Sequence, residues 1–252
     1  MIKKEKKPLK KGKGESFIDN ERISKVDLII IEKNIKPVCS ATHSTSSALI
    51  IDADKYIISA LNKNFINPLV LHTCETFKEA SKILNDNVVD YIFMELFNVE
   101  ENMLDAIIFI LDVYSKFPSV RVVVLTTISD CDYIQVLRSL KYVSIISKYE
   151  SIHELYKSIQ SCRLSDGFYS KDIEKIMCNL EPPEALNDIE WSVLICLAQG
   201  LPKREIASKI FKSYHGLFYH INKINKKLHI KTKGQQLRML KSLVNSPFKN
   251  HI

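Results

Sequence analysis

The run Ala48-Leu49-Ile50-Ile51-Asp52 is apolar until its last residue, and beyond it the period of the sequence changes. After Ala53 and Asp54, the residues Ile57, Ile58, Leu61 and Phe65 fall at helical spacing. The same succession recurs downstream. Pro68–Thr73 is a second apolar run, after which Phe77, Ala80, Ile83 and Leu84 return to helical spacing. Tyr91–Leu96, Val120–Thr126 and Tyr142–Ser147 are three more such runs, and segments near 102–116, 131–140 and 151–162 read as helices. Strands alternating with helices of this length imply βαβ units, because parallel neighbours need a crossover. The expected class is α/β: a doubly wound parallel sheet with helices on both faces.

Five such units in about 115 residues have the size of a flavodoxin-like domain. On its N-terminal side, residues 1–47 form a basic tail and an extension without assignment. Residues 1–16 are low-complexity, 26–31 look like a short strand, and 40–47 read as a loop. On the C-terminal side, Gly167 and Pro182-Pro183 mark 164–185 as a linker, with a short helix at 171–179. After Leu186 no strand is evident. Asn187 or Asp188 caps a helix that Gly200 stops, with Trp191, Val193, Leu194, Leu197 and Ala198 on one face. Lys203–Phe211, Tyr214–Leu228 and 233–245 are three further helices, the second burying Leu217, Ile221, Ile224 and Leu228.

The chain has 252 residues and a net charge of +7, unevenly spread. Residues 1–13 carry +6 and residues 200–252 carry +11, with Glu205 the sole acid there, so 14–199 carries −10. A basic end with helical periodicity, on an acidic body, points to an anionic partner, nucleic acid first. No stretch is long and apolar enough to span a membrane, and the N-terminal lysines lead into no apolar signal core. Six cysteines occur without a C-x-x-C pair or regular spacing, and four of them sit in apolar or helical context, which suits reduced, buried thiols in a cytosolic protein. The six glycines form no phosphate cradle. Neither a cofactor nor a metal is expected.

Two short helices, a tight turn and a lysine-rich longer helix meet the needs of a helix-turn-helix. Residues 186–210, LNDIEWSVLICLAQGLPKREIASKI, and 213–230, SYHGLFYHINKINKKLHI, resemble the LuxR/FixJ-type DNA-binding domain. The resemblance implies double-stranded DNA as partner. It places Phe218, Tyr219 and Asn222 at base edges and Lys203, Arg204, Ser213, Lys223 and Lys226 on phosphates. His220, Glu205 and Trp191 fall at structural positions. Phe218 and Gly216 depart from the lysine and threonine common in the family, so its sequence preference does not transfer.

The five βα units, 48–163, resemble a response-regulator receiver, which commonly precedes such a domain. A working receiver holds Mg²⁺ on an acidic pair after its first strand and phosphorylates an Asp after its third. A Ser/Thr and a Lys then bind the phosphoryl oxygens. Here Ala53 breaks the pair beside Asp52, and Glu95 stands where the acceptor belongs. Thr126 and Lys148 match, while Ile145 replaces a common aromatic. The degenerate site is similar to that of auxiliary regulators of the capsule-synthesis type, which act with a related partner subunit.

The expected protein is a bacterial, cytoplasmic transcription regulator without enzymatic activity. Its receiver-like domain is phosphorylation-independent, and 186–252 form the DNA-binding domain. It works as a homodimer, or as a heterodimer with a related regulator, because one recognition helix reads only a half-site. Two alternatives use the same residues. One is a conventional phosphorelay response regulator. The other is a Mg-dependent phosphatase, since Asp52-Ala53-Asp54 also resembles the D-x-D motif of haloacid dehalogenases. The phosphatase needs a further acidic pair, for which only Asp130 and Asp132 stand nearby, and it leaves the basic helices unexplained.

Overall fold

The computed structural model describes residues 47–64 (side chains up to residue 59), 70–151, 153–154 and 167–245. The strand expected at 26–31 and most of the helix expected at 151–162 lie outside the described residues. So do Cys39 and Cys162.

Five strands form one parallel sheet: β1 (Ser47–Ile51), β2 (Val70–Cys74), β3 (Tyr91–Met94), β4 (Arg121–Thr126) and β5 (Ser144–Ser147), in the order β2-β1-β3-β4-β5. The crossovers hold α1 (Lys55–Asn64), α2 (Phe77–Asp86), α3 (Met103–Lys116) and α4 (Cys131–Arg138). Each of the last three begins at a side-chain cap: Thr76, Asn102 and Asp130, the second completed by Asp105 as a capping box. Alternate residues of the inner strands enter opposite cores. Leu49, Ile51, Ile92, Met94, Val122 and Val124 face one side, while Ala48, Ile50, Phe93, Val123 and Leu125 face the other. That two-sided burial is why these runs read as continuously apolar. The edge strand β2 is partly exposed and lies later than its apolar run, ending at Cys74.

Chain order and spatial order reverse between β1 and β3, which opens a crevice beyond their carboxyl ends. Ile51 pairs with Met94, so Asp52 and Glu95 emerge side by side at that crevice. The N–H of Glu95 donates to the carbonyl of Ile51 at 3.0 Å.

The segment expected to be a linker is partly built into the sheet. Ile145 donates to the carbonyl of Phe168 at 2.8 Å, and Ser170 returns a bond to Ile145 at 3.1 Å. These bonds cover the open edge of β5. Helix α5 (Lys171–Met177) follows, burying Ile173. The helical unit comprises α6 (Asp188–Ala198), α7 (Lys203–Lys209), α8 (Tyr214–Lys227) and α9 (Lys233–Val244). Helix α9 packs on α6 and on α3 and α4 of the sheet unit, with Arg238 Nε 3.1 Å from Asp132 Oδ2. One apolar cluster runs from the sheet through Trp191 to Leu217 and Leu243.

The four described cysteines are free thiols. Cys196 is buried and Cys74 half-buried, its thiol pushed up to about 12 by burial and by the charges of Glu79 and Glu101. Cys131 and Cys178 are exposed, because each sits at a helix end outside the apolar stripe.

Candidate functional site

Helix α8 buries Leu217, Ile221 and Ile224, and its cap Leu228, against α6 and α7. That anchorage fixes which side chains face outward. Tyr219 is 63% exposed, and Asn222 and Lys226, on the same face at helical spacing, are exposed too. Lys203 and Arg204, opening α7, are also exposed. Phe218 is half-buried between its neighbours: Lys203 Nζ lies 4.7 Å above its ring, and Tyr214 meets it edge-on at 5.1 Å. Its side chain is therefore more committed to the protein surface than those of Tyr219 and Asn222. Ser213 caps α8 by accepting from the N–H of Gly216 at 3.0 Å. Its hydroxyl proton remains able to donate.

Lys223 and Lys226 differ in a way that spacing did not reveal. Lys226 faces outward, whereas Lys223 Nζ lies 3.6 Å from Glu190 Oε1 and 6.0 Å from the Tyr219 ring centre. Glu190 is wholly buried. Its carboxylate accepts from the Asn187 N–H at 2.9 Å and from Lys227 Nζ at 2.7 Å, and Lys227 also donates to the Ala185 carbonyl at 2.7 Å. Burial raises the Glu190 pKa, but the Lys227 bond, the Asn187 N–H and the lysine charges outweigh it and hold the carboxyl below its ordinary value. Glu205, expected in the scaffold, is exposed. The scaffold glutamate is Glu190, because the third position of α6 reaches both the cap and α8. A capping-box signal, Asn187 with Glu190, stood in the sequence but said nothing of Lys227.

Three helices of this unit end alike. Gly200 (φ 75), Phe211 (φ 54) and His229 (φ 55) each sit in the left-handed region just past α6, α7 and α8. The next residues, Leu201, Lys212 and Ile230, donate to carbonyls five positions back at 3.1, 3.0 and 2.8 Å. This is the Schellman closure, in which glycine is the unstrained occupant of the left-handed position. A residue with a Cβ costs roughly 1–2 kcal/mol there.

The crevice of the sheet forms the second candidate site. Lys148 Nζ lies 2.7 Å from Asp52 Oδ2 and 2.9 Å from Glu95 Oε2. Thr126, fully buried, bonds Glu95 through its side chain, and its carbonyl accepts from the Lys148 N–H at 2.9 Å. Burial pushes the Glu95 carboxyl up, with Lys148 opposing it; the Glu95 and Asp52 carboxylates raise Lys148 despite its own burial. Asp52, Glu95 and Lys148 line a pocket of about 490 Å³ together with Asp54, Phe97 and Val99. The Asp52 carboxylate faces Lys148, and exposed Asp54 accepts from the Tyr56 N–H at 2.8 Å. Among the described residues, no three His, Cys, Asp or Glu side chains converge as metal ligands. The acids named for the phosphatase alternative are likewise engaged: Asp130 caps α4 and Asp132 pairs with Arg238.

The five-stranded parallel sheet with β2-β1-β3-β4-β5 order, followed by a four-helix unit, is a fold shared with solved structures. Among solved structures, the fold is that of the two-component response regulator RcsB. The RcsB–DNA complex superimposes with a TM-score of 0.52 at 18% identity, covering 80% of this chain and 100% of that one. Two RcsB dimers bound to two parallel DNAs give 0.51 at 18% identity, with the same coverage of both chains. RcsB from Salmonella enterica serovar Typhimurium, bound to promoter P1flhDC with the phosphomimetic BeF3−, gives 0.52 at 18%, again covering 80% and 100%. At this identity the likeness is one of fold. No family model matches the sequence, and no curated protein matches it. Among the described residues, no helix is long and apolar enough to cross a membrane.

Proposed function

We propose that this protein is a sequence-specific, double-stranded-DNA-binding transcription regulator of the LuxR/FixJ type, acting in the cytoplasm as a dimer and without enzymatic activity. The observation that carries this reading is the outward face of α8, with Tyr219, Asn222 and Lys226 exposed beside Lys203 and Arg204. A helix offering such side chains while burying its opposite stripe suits the major groove. RcsB, which shares the fold, has been solved as dimers on DNA. In this reading the receiver-like domain spans 48–163 and the DNA-binding domain 186–252, joined by 164–185, of which residues 168–170 pair with β5. Tyr219, Asn222 and Phe218 read bases. Lys203, Arg204, Ser213 and Lys226 grip phosphates, Lys223 dividing its charge between phosphate and Glu190. The partner subunit is a second copy or a related regulator.

The receiver-like domain works without phosphorylation. Glu95 sits one methylene farther out than an aspartate would, and Lys148 already bridges it to Asp52. The ammonium that would receive a phosphoryl group is thereby satisfied, and Ala53 leaves its charge without a metal to neutralise it.

One experiment tests both parts. The full chain is titrated with a mixed-sequence 30-bp duplex at several salt concentrations, with and without a labelled small phosphodonor. Expected are affinity that falls steeply with salt, as released counterions dictate, no incorporated label and no donor effect. Absence of binding at low salt defeats the DNA assignment. Stoichiometric acid-labile label on Asp52, Asp54 or Glu95 restores the phosphorelay alternative.

A further inference from the structure

We infer that Phe211 is a DNA-contacting residue: an apolar contact at the groove edge, against thymine methyl groups and deoxyribose, set in the turn between α7 and α8. The inference rests on the DNA-binding reading above and goes beyond it, since nothing in the helix-turn-helix pattern assigns this position.

Three observations carry it. Phe211 is 94% exposed, the most exposed large apolar side chain among the described residues. It also occupies a left-handed backbone position, φ 54, where a phenyl ring gains nothing and a Cβ is strained. At the equivalent closure of α6 the residue is Gly200, and at that of α8 it is His229, whose ring contacts Glu181 and the Pro182 carbonyl at 3.0 and 3.1 Å. The residue after each closure breaks the pattern in the same place. Leu201 and Ile230 pack against the core, as the Schellman motif favours, whereas Lys212 is exposed. Two adjacent positions thus forgo stability, and such local conflicts concentrate where a chain serves function.

The surroundings select the occupant. Phe211 lies between exposed Lys209 and Lys212, three residues before Tyr214 opens α8. In a helix-turn-helix the start of the second helix enters the major groove, and three residues span at most about 11 Å. A phenyl ring flanked by ammonium groups at that distance meets a polyanion with apolar patches, and duplex DNA is such a surface.

The test compares Phe211→Asn with Phe211→Leu in the full chain, measuring urea unfolding and binding to the mixed-sequence 30-bp duplex. Asn tolerates the left-handed region, so Phe211→Asn is expected to unfold at equal or higher urea yet bind about tenfold more weakly. Its salt dependence stays that of the wild type, because no charge is lost. Phe211→Leu, still apolar, is expected to keep most of the binding. Wild-type affinity in Phe211→Asn overturns the inference and leaves Phe211 to a protein partner. Weaker binding accompanied by lower stability overturns it too, since the ring would then serve packing. If the wild type itself fails to bind, the DNA assignment falls and this inference with it, an outcome distinct from the other two.

Discussion

Glu95 and Lys148 are joined by a 2.9 Å ion pair at the carboxyl ends of β3 and β5, with only 11% and 10% of their side chains exposed. Asp52 faces the same ammonium at 2.7 Å, so one cation serves two buried carboxylates. Such a cluster holds the crevice in one arrangement, and breaking it leaves uncompensated charge in a low-dielectric setting.

Lys148→Met tests that dependence. Asp52 and Glu95 would face each other unpaired, and the expected loss is roughly 3–5 kcal/mol near neutral pH. The Glu95 carboxyl, raised by burial and no longer opposed by Lys148, would favour its protonated form in the fold. The variant's stability should therefore rise as pH falls from about 8 to about 5. The wild type behaves otherwise at the alkaline end. Lys148 is raised above 10.5, so its contribution is complete below that value and is lost as pH rises through its folded pKa. Urea unfolding from about pH 5 to beyond 10.5 reads both effects. A variant as stable as the wild type at pH 8 would show that the cluster holds nothing together.

Glu190 gives the opposite pH sign. Its folded pKa lies below the ordinary 4.5, so its stabilisation is present above 4.5 and is lost as pH falls through the folded value. Glu190→Gln keeps the cap geometry but removes the charge opposite Lys227. A loss of about 1–3 kcal/mol at pH 7 is expected, shrinking towards zero as the wild-type carboxyl protonates. A loss that stays constant down to about pH 3 would mean that shape, not charge, matters there.

Reading and gripping should separate on α8. Tyr219→Ala and Asn222→Ala are expected to cost about 1–3 kcal/mol on a selected site and little on random duplex. Lys226→Ala should weaken both DNAs and lower the salt slope by about one. Lys223→Ala should lower the slope less and cost stability, because its ammonium also faces Glu190 at 3.6 Å. Equal losses on both DNAs for Tyr219→Ala and Asn222→Ala would put the wrong face in the groove.

The inner strands and the buried stripe of α8 were legible because both arise from local periodicity: Ile50 and Phe93 are buried in two-sided strands, and Leu217 and Ile224 repeat with the helix. Asp52, Glu95, Thr126 and Lys148 could be placed together because each stands at the end of a strand in a parallel sheet, whose carboxyl ends share one edge. The Glu190–Lys227 pair could not, since its partners stand 37 positions apart and either charge alone reads as a solvated one. Phe211 gave no signal for a related reason. Left-handed backbone is announced by glycine or asparagine, and a phenylalanine there breaks the rule that would have flagged it.

Gly167 is the remaining case in which sequence suggested a linker and structure demands contact. A Cβ on Gly167 would lie 2.1 Å from the carbonyl oxygen of Val143, too close for any side chain. The neighbour is backbone of the chain entering β5, so it cannot rotate away. Gly167→Ala must instead lift residues 168–170 from β5. The Ile145 N–H would lose the Phe168 carbonyl at 2.8 Å, and the Ser147 N–H would lose the Ser170 hydroxyl at 3.1 Å. Each buried donor left unpaired costs about 1–3 kcal/mol. Gly200 is the internal control: its φ of 75 strains any Cβ, but nothing lies within 4 Å of one. Gly200→Ala should therefore cost only about 1–2 kcal/mol, and Gly167→Ala clearly more. Hydrogen exchange should show the Ile145 amide deprotected in Gly167→Ala and not in Gly200→Ala. Equal stabilities of the two variants, with Ile145 protected in both, would mean that the 168–170 segment does not hold the edge of the sheet.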